Sequence, residues 1–283
     1  MLENEGEVSY EYEERFVAFI DILGFKDSIQ NNKVGTLIKV IQLLRSEAEN
    51  KPYVVEKESH MFFMAGPGEN NASDKFHSSR EISVFSDLIV ISYQVYNEIS
   101  VLNNLHKLLH SIYFMQEHLS INSILIRGGI SYGHLYHKDD ICIGPALVRA
   151  YELEQKLAKF PRVIIDPLLI EHDRFKGIVG RWPNYLEKFG DELYFITHFQ
   201  PLKTFFDMYS KKDLPIQIST RQFQIQQTLF AYKIAIEQAL KSNKESAKEK
   251  GRWLNIQYQE TVKYFETFYA FTNDERKYID IQI

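Results

Sequence analysis

The segment that most limits what this chain can become is Phe16 to Lys26, FVAFIDILGFK. Its five consecutive apolar residues, Phe16 to Ile20, have the pattern of a strand buried on both faces. The run stops on a carboxylate, Asp21, and then reaches Gly24, where the backbone is free to turn closely about a ligand. An ionised carboxylate at the end of a buried strand is costly unless something pairs with it. Two partners meet that need: a metal ion, or the first amides of a following helix that Asp21 would cap. A second stretch of the same kind, Glu81 to Ser92 (EISVFSDLIVIS), carries Asp87 in its middle and shifts the balance towards the metal.

Composition narrows the ligand. The chain has 283 residues, enough for one large domain or two modest ones around a real core. Its formal net charge of −5 and the lack of any Lys/Arg tract argue against duplex nucleic acid as a partner. An anionic ligand would have to be held by a metal or by a local site. Cys142, the single cysteine, rules out an intramolecular disulfide framework and is expected to be a small core residue, not a nucleophile. No apolar run approaches the ~20 residues of a membrane span. The acidic start, MLENEGEVSYEYEE, lacks a signal-peptide pattern, so a cytoplasmic protein is expected.

Periodicity orders the elements. Residues 1–14 read as an acidic lead-in before the first strand. Val34, Leu37, Ile38, Ile41 and Leu44 recur at helical spacing, and Pro52 marks that helix's end. Tyr53 to Met64 suits a short strand or helix, and Ala65 to Arg80 a mobile loop long enough to be a lid. Two short strands meet around Ser86 and Asp87, followed by a helix from about Glu98 to His118. Ile124 to Ile130 is a strand running into Tyr132 and Gly133, with a turn at Lys138 to Asp140. A helix from Gly144 to Lys159 is ended by Pro161, with strands at Val163 to Ile165 and Asp191 to Phe199.

Beyond residue 214, helices over Gln222–Leu240 and Gly251–Phe271 flank the charged run Lys241–Lys250. Tyr264, Phe265, Phe268, Tyr269 and Phe271 would face the core or a second copy. His134 and His137 stand three apart with no Cys or third His nearby, which suits polar loop residues better than a zinc site. This order describes an α+β, ferredoxin-like core, a mainly antiparallel sheet with helices over one face. The first strand would then lie beside the third, with Asp21 and Asp87 across one strand spacing of roughly 5 Å. Two carboxylates so placed form a divalent metal site.

Four motifs in this order resemble the class III nucleotidyl cyclases. They are Asp21-Ile22-Leu23-Gly24-Phe25, Asp87 in the hairpin, Arg127-Gly128-Gly129-Ile130-Ser131-Tyr132-Gly133, and a helix bearing Gly144, Ala150, Leu153 and Glu154. The resemblance covers about residues 15–200, a catalytic domain, and leaves 201–283 as a helical extension. Purine cyclases carry a Lys where this chain has Ser83, an Asp where it has Pro145, and an Asn and an Arg where it has Val148 and Glu152. FIDILGF, RGGISYG and the AYELE…PR segment look instead like the bacterial pyrimidine cyclases of the Pycsar anti-phage system. That likeness implies a homodimer with composite sites, forming cyclic UMP or cyclic CMP from UTP or CTP. Mn²⁺ or Mg²⁺, two ions per site, would assist, and the product would activate a separate effector; UTP is placed ahead of CTP, although no residue reads the base. The alternatives are a catalytically inactive nucleotide-binding sensor of the same fold, and an interaction protein led by its aromatic C-terminal helices.

The resemblance also distributes roles. Asp21, Asp87 and the Ile22 carbonyl would hold the ions, whose oxygen ligands suit Mg²⁺ or Mn²⁺. Backbone N–H groups of Leu23, Gly24, Phe25 and Lys26, at a turn opening a helix, would cradle phosphates. Arg149 is the first candidate for charge developing at the α-phosphate, unless a salt bridge to Glu152 or Glu154 occupies it. Arg127 is the second, unless it pairs with a carboxylate on its strand, and Lys156 the third. The short Ser83 leaves room for a pyrimidine edge, while Phe85 and Tyr132 either stack on a base or fill the core.

Overall fold

The computed structural model describes residues 10–26, 29, 34–49, 80–139, 141–175, 185–188, 192–200, 202–203, 215–267 and 271–281. The apolar run becomes β1 (Glu13–Ile22), the central strand. It pairs antiparallel on one side with β3 (Leu88–Gln94) and on the other with β4 (Ile126–Lys138). β2 (Arg80–Phe85) forms a hairpin with β3 through Ser86 and Asp87. Ser86 takes a φ of 55°, a left-handed value that closes so short a turn. β5 (Ile141–Ile143) pairs with the far end of β4. β6 (Val163–Ile165) runs parallel to β4, and β7 (Leu186–Lys188) and β8 (Tyr194–Ile196) extend the sheet in the order β2-β3-β1-β4-β6-β8-β7. The mainly antiparallel α+β architecture read from the sequence is the one observed.

Strand alternation sorts β1 onto two faces. Phe16, Ala18, Ile20 and Ile22 point to a core shared with α1 (Val34–Glu49) and α2 (Glu98–Ile121), where Leu44, Leu105, Leu109 and Ile112 are fully buried. α2 starts at a capping box, Asn97 accepting from the Ser100 amide. Arg15, Val17, Phe19 and Asp21 occupy the opposite face. There Val17 and Val90 pack against Ala146 and Ala150 of α3 (Pro145–Lys156). Helices therefore cover both faces, not one as expected. Gly129 permits this second layer, since a Cβ there would stand 2.4 Å from the Ala150 carbonyl oxygen. α3 begins and ends inside the expected Gly144–Lys159 span.

α4 (Pro167–Glu171) and a 3₁₀ turn (Asp173–Phe175) follow β6. The C-terminal helices are α5 (Pro215–Leu240), α6 (Glu245–Glu266) and α7 (Asn273–Ile279). Leu229, Tyr232, Leu254 and Tyr258 form one core with Ala158, Ile164, Phe195 and Phe199 of the sheet side. α6 begins inside the charged run and ends before Thr267, so Phe271 does not share a helix with Tyr264 and Phe265 as expected. His134 and His137 lie on β4, not in a loop, and His137 is buried. The expectations for Pro52, Tyr53–Met64, Phe268 and Tyr269, for residues 1–9 of the lead-in and for all of the Ala65–Arg80 loop but Arg80 lie outside the described residues, while Glu13 and Glu14 of the lead-in already belong to β1.

Candidate active site

The register of β1 builds the site. Asp21, last but one in the strand, stands opposite Leu88 of β3 and Arg127 of β4. The Ile22 amide donates to the Asp87 carbonyl at 3.3 Å, and the Leu23 amide to the Leu125 carbonyl at 2.9 Å. The end of β1 is thus clamped between the hairpin turn and the start of β4, which sets the Asp21 and Asp87 carboxyl groups beside each other. Burial, reinforced by the charge of Asp87, pushes the Asp21 carboxyl up, against a lowering by Arg127. Gly24 then turns the chain with a φ of +78°, and Phe25 and Lys26 open a helical turn.

Arg127 joins two carboxylates. Its Nε and Nη2 both donate to Oδ2 of Asp21, each at 3.1 Å, so Oδ1 takes no hydrogen bond from Arg127. Nη2 also lies 2.6 Å from Oε1 of Glu154, a close ion pair without the alignment of a hydrogen bond. Glu154, on α3, is 0% exposed, and burial raises its carboxyl despite the opposing pull of Arg127. Arg127 is therefore the carboxylate-paired strand arginine that the sequence left open, and the pairing holds it at Asp21.

Asp21 and Asp87 present oxygen donors, and the main chain of Ile22 is tied to the hairpin turn by its bond to the Asp87 carbonyl; the Ile22 side chain is buried in the core. Among the described residues no three His, Cys, Asp or Glu side chains cluster as metal ligands. Two carboxylates completed by main-chain or ligand oxygens suit Mg²⁺ or Mn²⁺, which keep open coordination positions for substrate. The residues fit such an ion. Leu23, Gly24 and Phe25 bear on this end of the strand through backbone, because Phe25 is buried in the core; Lys26 is exposed.

Arg149 is not brought to this cluster within the chain. Its Nε and Nη2 donate to Oδ2 and Oδ1 of Asp166 at 2.7 and 2.8 Å, a two-pronged pair. The expected partners are engaged elsewhere, Glu152 with Lys156 and Glu154 with Arg127. Asp166 also caps α4 through Leu168, and its amide donates to Ile130. Ile130 is three residues along β4 from Arg127, so the Arg149 pair sits roughly 10 Å along the sheet from Asp21.

Ser83 and Phe85 share the face of Asp21, since Phe85 pairs with Leu88 and Ser83 with Val90, the partners of Asp21 and Phe19. Phe85 is 80% exposed, so it is not a core aromatic. Tyr132 is the reverse: it packs on Phe16 and Phe175 from the other face, and its hydroxyl accepts from Arg174 at 2.9 Å. Sequence reading missed Glu154 and Asp166 as partners and overlooked a buried polar line. Arg15 Nε donates to Ser92 Oγ at 2.9 Å, Ser92 Oγ meets His137 Nδ1 at 2.8 Å, and His137 Nε2 meets Ser83 Oγ at 2.9 Å. The available signal was alternation, because Arg15 is in step with Val17, Phe19 and Asp21.

No family model matches the chain, and no curated protein sequence matches it. Several solved structures resemble it, two of which illustrate the likeness. One is the catalytic core of a rhodopsin-guanylyl cyclase with converted specificity in complex with ATPalphaS, at 14% identity and a TM-score of 0.39, covering 66% of this chain and 96% of that one. The other is a bacterial light-regulated adenylyl cyclase, at 13% identity and a TM-score of 0.40, covering 69% of this chain and 53% of that one. This chain spans about half the length of the second.

Proposed function

We propose that this chain is a nucleotidyl cyclase acting on a pyrimidine nucleoside triphosphate, UTP or CTP. The observation that carries the reading is the meeting of Asp21 and Asp87 at the clamped end of β1, directly before the Gly24 turn. In the reaction the ribose 3′-oxygen attacks the α-phosphorus and passes its proton to solvent water. A new P–O bond closes the ring, the bond to the bridging oxygen breaks, and pyrophosphate leaves. Asp21, Asp87 and the Ile22 carbonyl would hold Mg²⁺ or Mn²⁺, and such ions, when bound, would lower the pKa of the 3′-hydroxyl and neutralise triphosphate charge.

The chain's own groups do the rest. Amides of Leu23 to Lys26 face the outer phosphates. Arg127 orients Asp21 by gripping one of its oxygens. Arg149, distant from Asp21 in its own chain, meets the phosphates only across a homodimer, which makes the sites composite. Phe85, Ile141, Ile143, Val148 and Tyr151 are exposed apolar side chains available to such an interface. The reading extends to a cyclic nucleotide that activates a separate effector in anti-phage defence, on the strength of the motif resemblance.

The second reading, an inactive nucleotide-binding sensor, is favoured by one observation: Arg149 is already committed to Asp166. Incubating the protein with each of the four nucleoside triphosphates and Mn²⁺, with products identified by mass spectrometry, separates the two. A cyclic pyrimidine nucleotide is expected. Nucleotide bound but never cyclised would establish the sensor instead.

A further inference from the structure

Two histidines outside the nucleotide site stand one helical turn apart. His106 and His110, at i and i+4 on α2, share a face of that helix, with ring centroids 6.0 Å apart. They flank the buried line of Leu105, Leu109 and Ile112 and are themselves half-buried, on the side of the sheet opposite Asp21. Neighbouring rings brace them. His110 lies 4.5 Å from the Phe114 ring, and Tyr185 stands edge-on to His106 and His110 at 5.6 and 6.0 Å. The fully buried histidines spend both ring nitrogens on protein, His137 on Ser83 and Ser92, His198 on Tyr232 and the Pro161 carbonyl. Among the described residues His110 meets only rings, and neither of its nitrogens has a hydrogen-bond partner. Burial lowers both imidazoles, for His110 with help from the charge of His106, so both are neutral near pH 7 and each keeps a lone pair.

Neutral imidazoles at this spacing on a helix are a chelating pair. With a metal–nitrogen bond of about 2.0–2.1 Å, an ion sits roughly 3.2 Å from each ring centroid. One ion therefore spans rings up to roughly 6.4 Å apart, and a tetrahedral ion about 5.2 Å. The observed 6.0 Å closes to that by rotation about the side-chain torsions, while Phe114 and Tyr185 restrict other orientations. Imidazole nitrogens select borderline ions such as Zn²⁺, Ni²⁺ and Cu²⁺ over Mg²⁺, the reverse of the oxygen donors at Asp21 and Asp87. We propose that His106 and His110 form a second metal site on α2, which takes Zn²⁺ and is completed by water. His118 is eight residues beyond His110, with the Phe114 ring between them, and takes no part. An ion held by the pair ties successive turns of α2 together and never enters the nucleotide site. The proposal stands independently of the nucleotide reading.

The test titrates Zn²⁺ calorimetrically into the full chain in excess Mg²⁺, which competes for oxygen ligands and not for imidazole. One Zn²⁺ per chain is expected. His106→Gln and His110→Gln, each shown folded by Tm, should lower the affinity at least about tenfold, since losing a ligand costs no less than losing an outer-shell partner. His118→Gln and Asp87→Ala should bind Zn²⁺ as the wild type does. A second readout needs no variant. In wild-type protein labelled with ¹⁵N-histidine, Zn²⁺ should move the ring nitrogens of His106 and His110 and leave those of His137 and His198 in place. No stoichiometric binding, an affinity that survives either histidine substitution, a loss in Asp87→Ala, or shifts confined to other histidines would each overturn the proposal.

Discussion

Arg127 stands between two carboxylates that differ in burial, and removing it affects both. Arg127→Ala would leave Glu154 buried without its counter-charge and Asp21 without its anchor. The expected loss is about 3–5 kcal/mol of stability, read from urea denaturation, because an unpaired buried charge costs more than the pair is worth. A loss near zero would mean that Glu154 is protonated and Arg127 idle. Asp21 and Asp87 predict a metal effect that can be read without turnover: Mn²⁺ should raise the Tm of the wild type and leave Asp87→Ala unmoved. The Tm rise should shrink as pH falls through the carboxylate range, and earlier than for an ordinary Asp, since burial and Asp87 push Asp21 up and a proton competes with the ion. This pair was legible in the sequence because an apolar run that ends on a carboxylate has few explanations. The partner of Arg149 was not, because Asp166 is seventeen residues away and reaches it only through the parallel pairing of β6 with β4.

At the scale of elements, the second helical layer depends on one close approach. Gly129→Ala would put a methyl 2.4 Å from the Ala150 oxygen and 2.6 Å from the Leu153 side chain. Backbone cannot yield there as a flexible side chain would, so α3 must lift from the sheet. A stability loss of about 1–3 kcal/mol is expected, together with reduced nucleotide binding as Glu154 pulls Arg127 off Asp21. An unchanged Tm would show that α3 is not seated on Gly129. The strands and most helix boundaries were readable from apolar period and turn residues. The face α3 would choose was not, since Ala146, Ala150 and Leu153 mark an amphipathic helix but not its side of the sheet. The polar line of His137 was hidden likewise: β4 runs on to Lys138 and carries His137 over Ser92 and Ser83, where a short strand and loop were expected.

Over the whole molecule, the C-terminal helices complete a core with the sheet. Arg162, 1% exposed, lies among the rings of Phe160, Phe195 and Trp253. Beside it His198 donates from Nε2 to the Pro161 carbonyl at 2.5 Å and meets the Tyr232 hydroxyl at 2.9 Å through Nδ1. We propose that the division near residue 200 separates functions and not cores. Burial holds both His198 and His137 down to about 4. An unfolded histidine titrates near 6.5, so between about pH 6.5 and 4 the unfolded chain takes up protons that the fold refuses. Stability should therefore fall as pH drops through that window, by about 1.4 kcal/mol per unit for each histidine at the steepest. The raised carboxyls of Glu117 and Glu154 act in the opposite sense, and a His198→Gln variant, with a shallower slope, isolates the histidine share. A slope unaltered by that change would refute the assignment.

The most direct measurement is the rate of cyclic pyrimidine nucleotide formation in Mn²⁺ by wild type and Asp87→Asn side by side, with both shown folded by Tm. Asp87→Asn keeps the shape of the hairpin turn and removes one of the two charges that would hold the ions. Formation by the wild type and a loss of at least a hundredfold in the variant, about 2.7 kcal/mol of barrier, is the result this account predicts. Equal rates in the two proteins, or no cyclic product from the wild type with any of the four triphosphates, would contradict it.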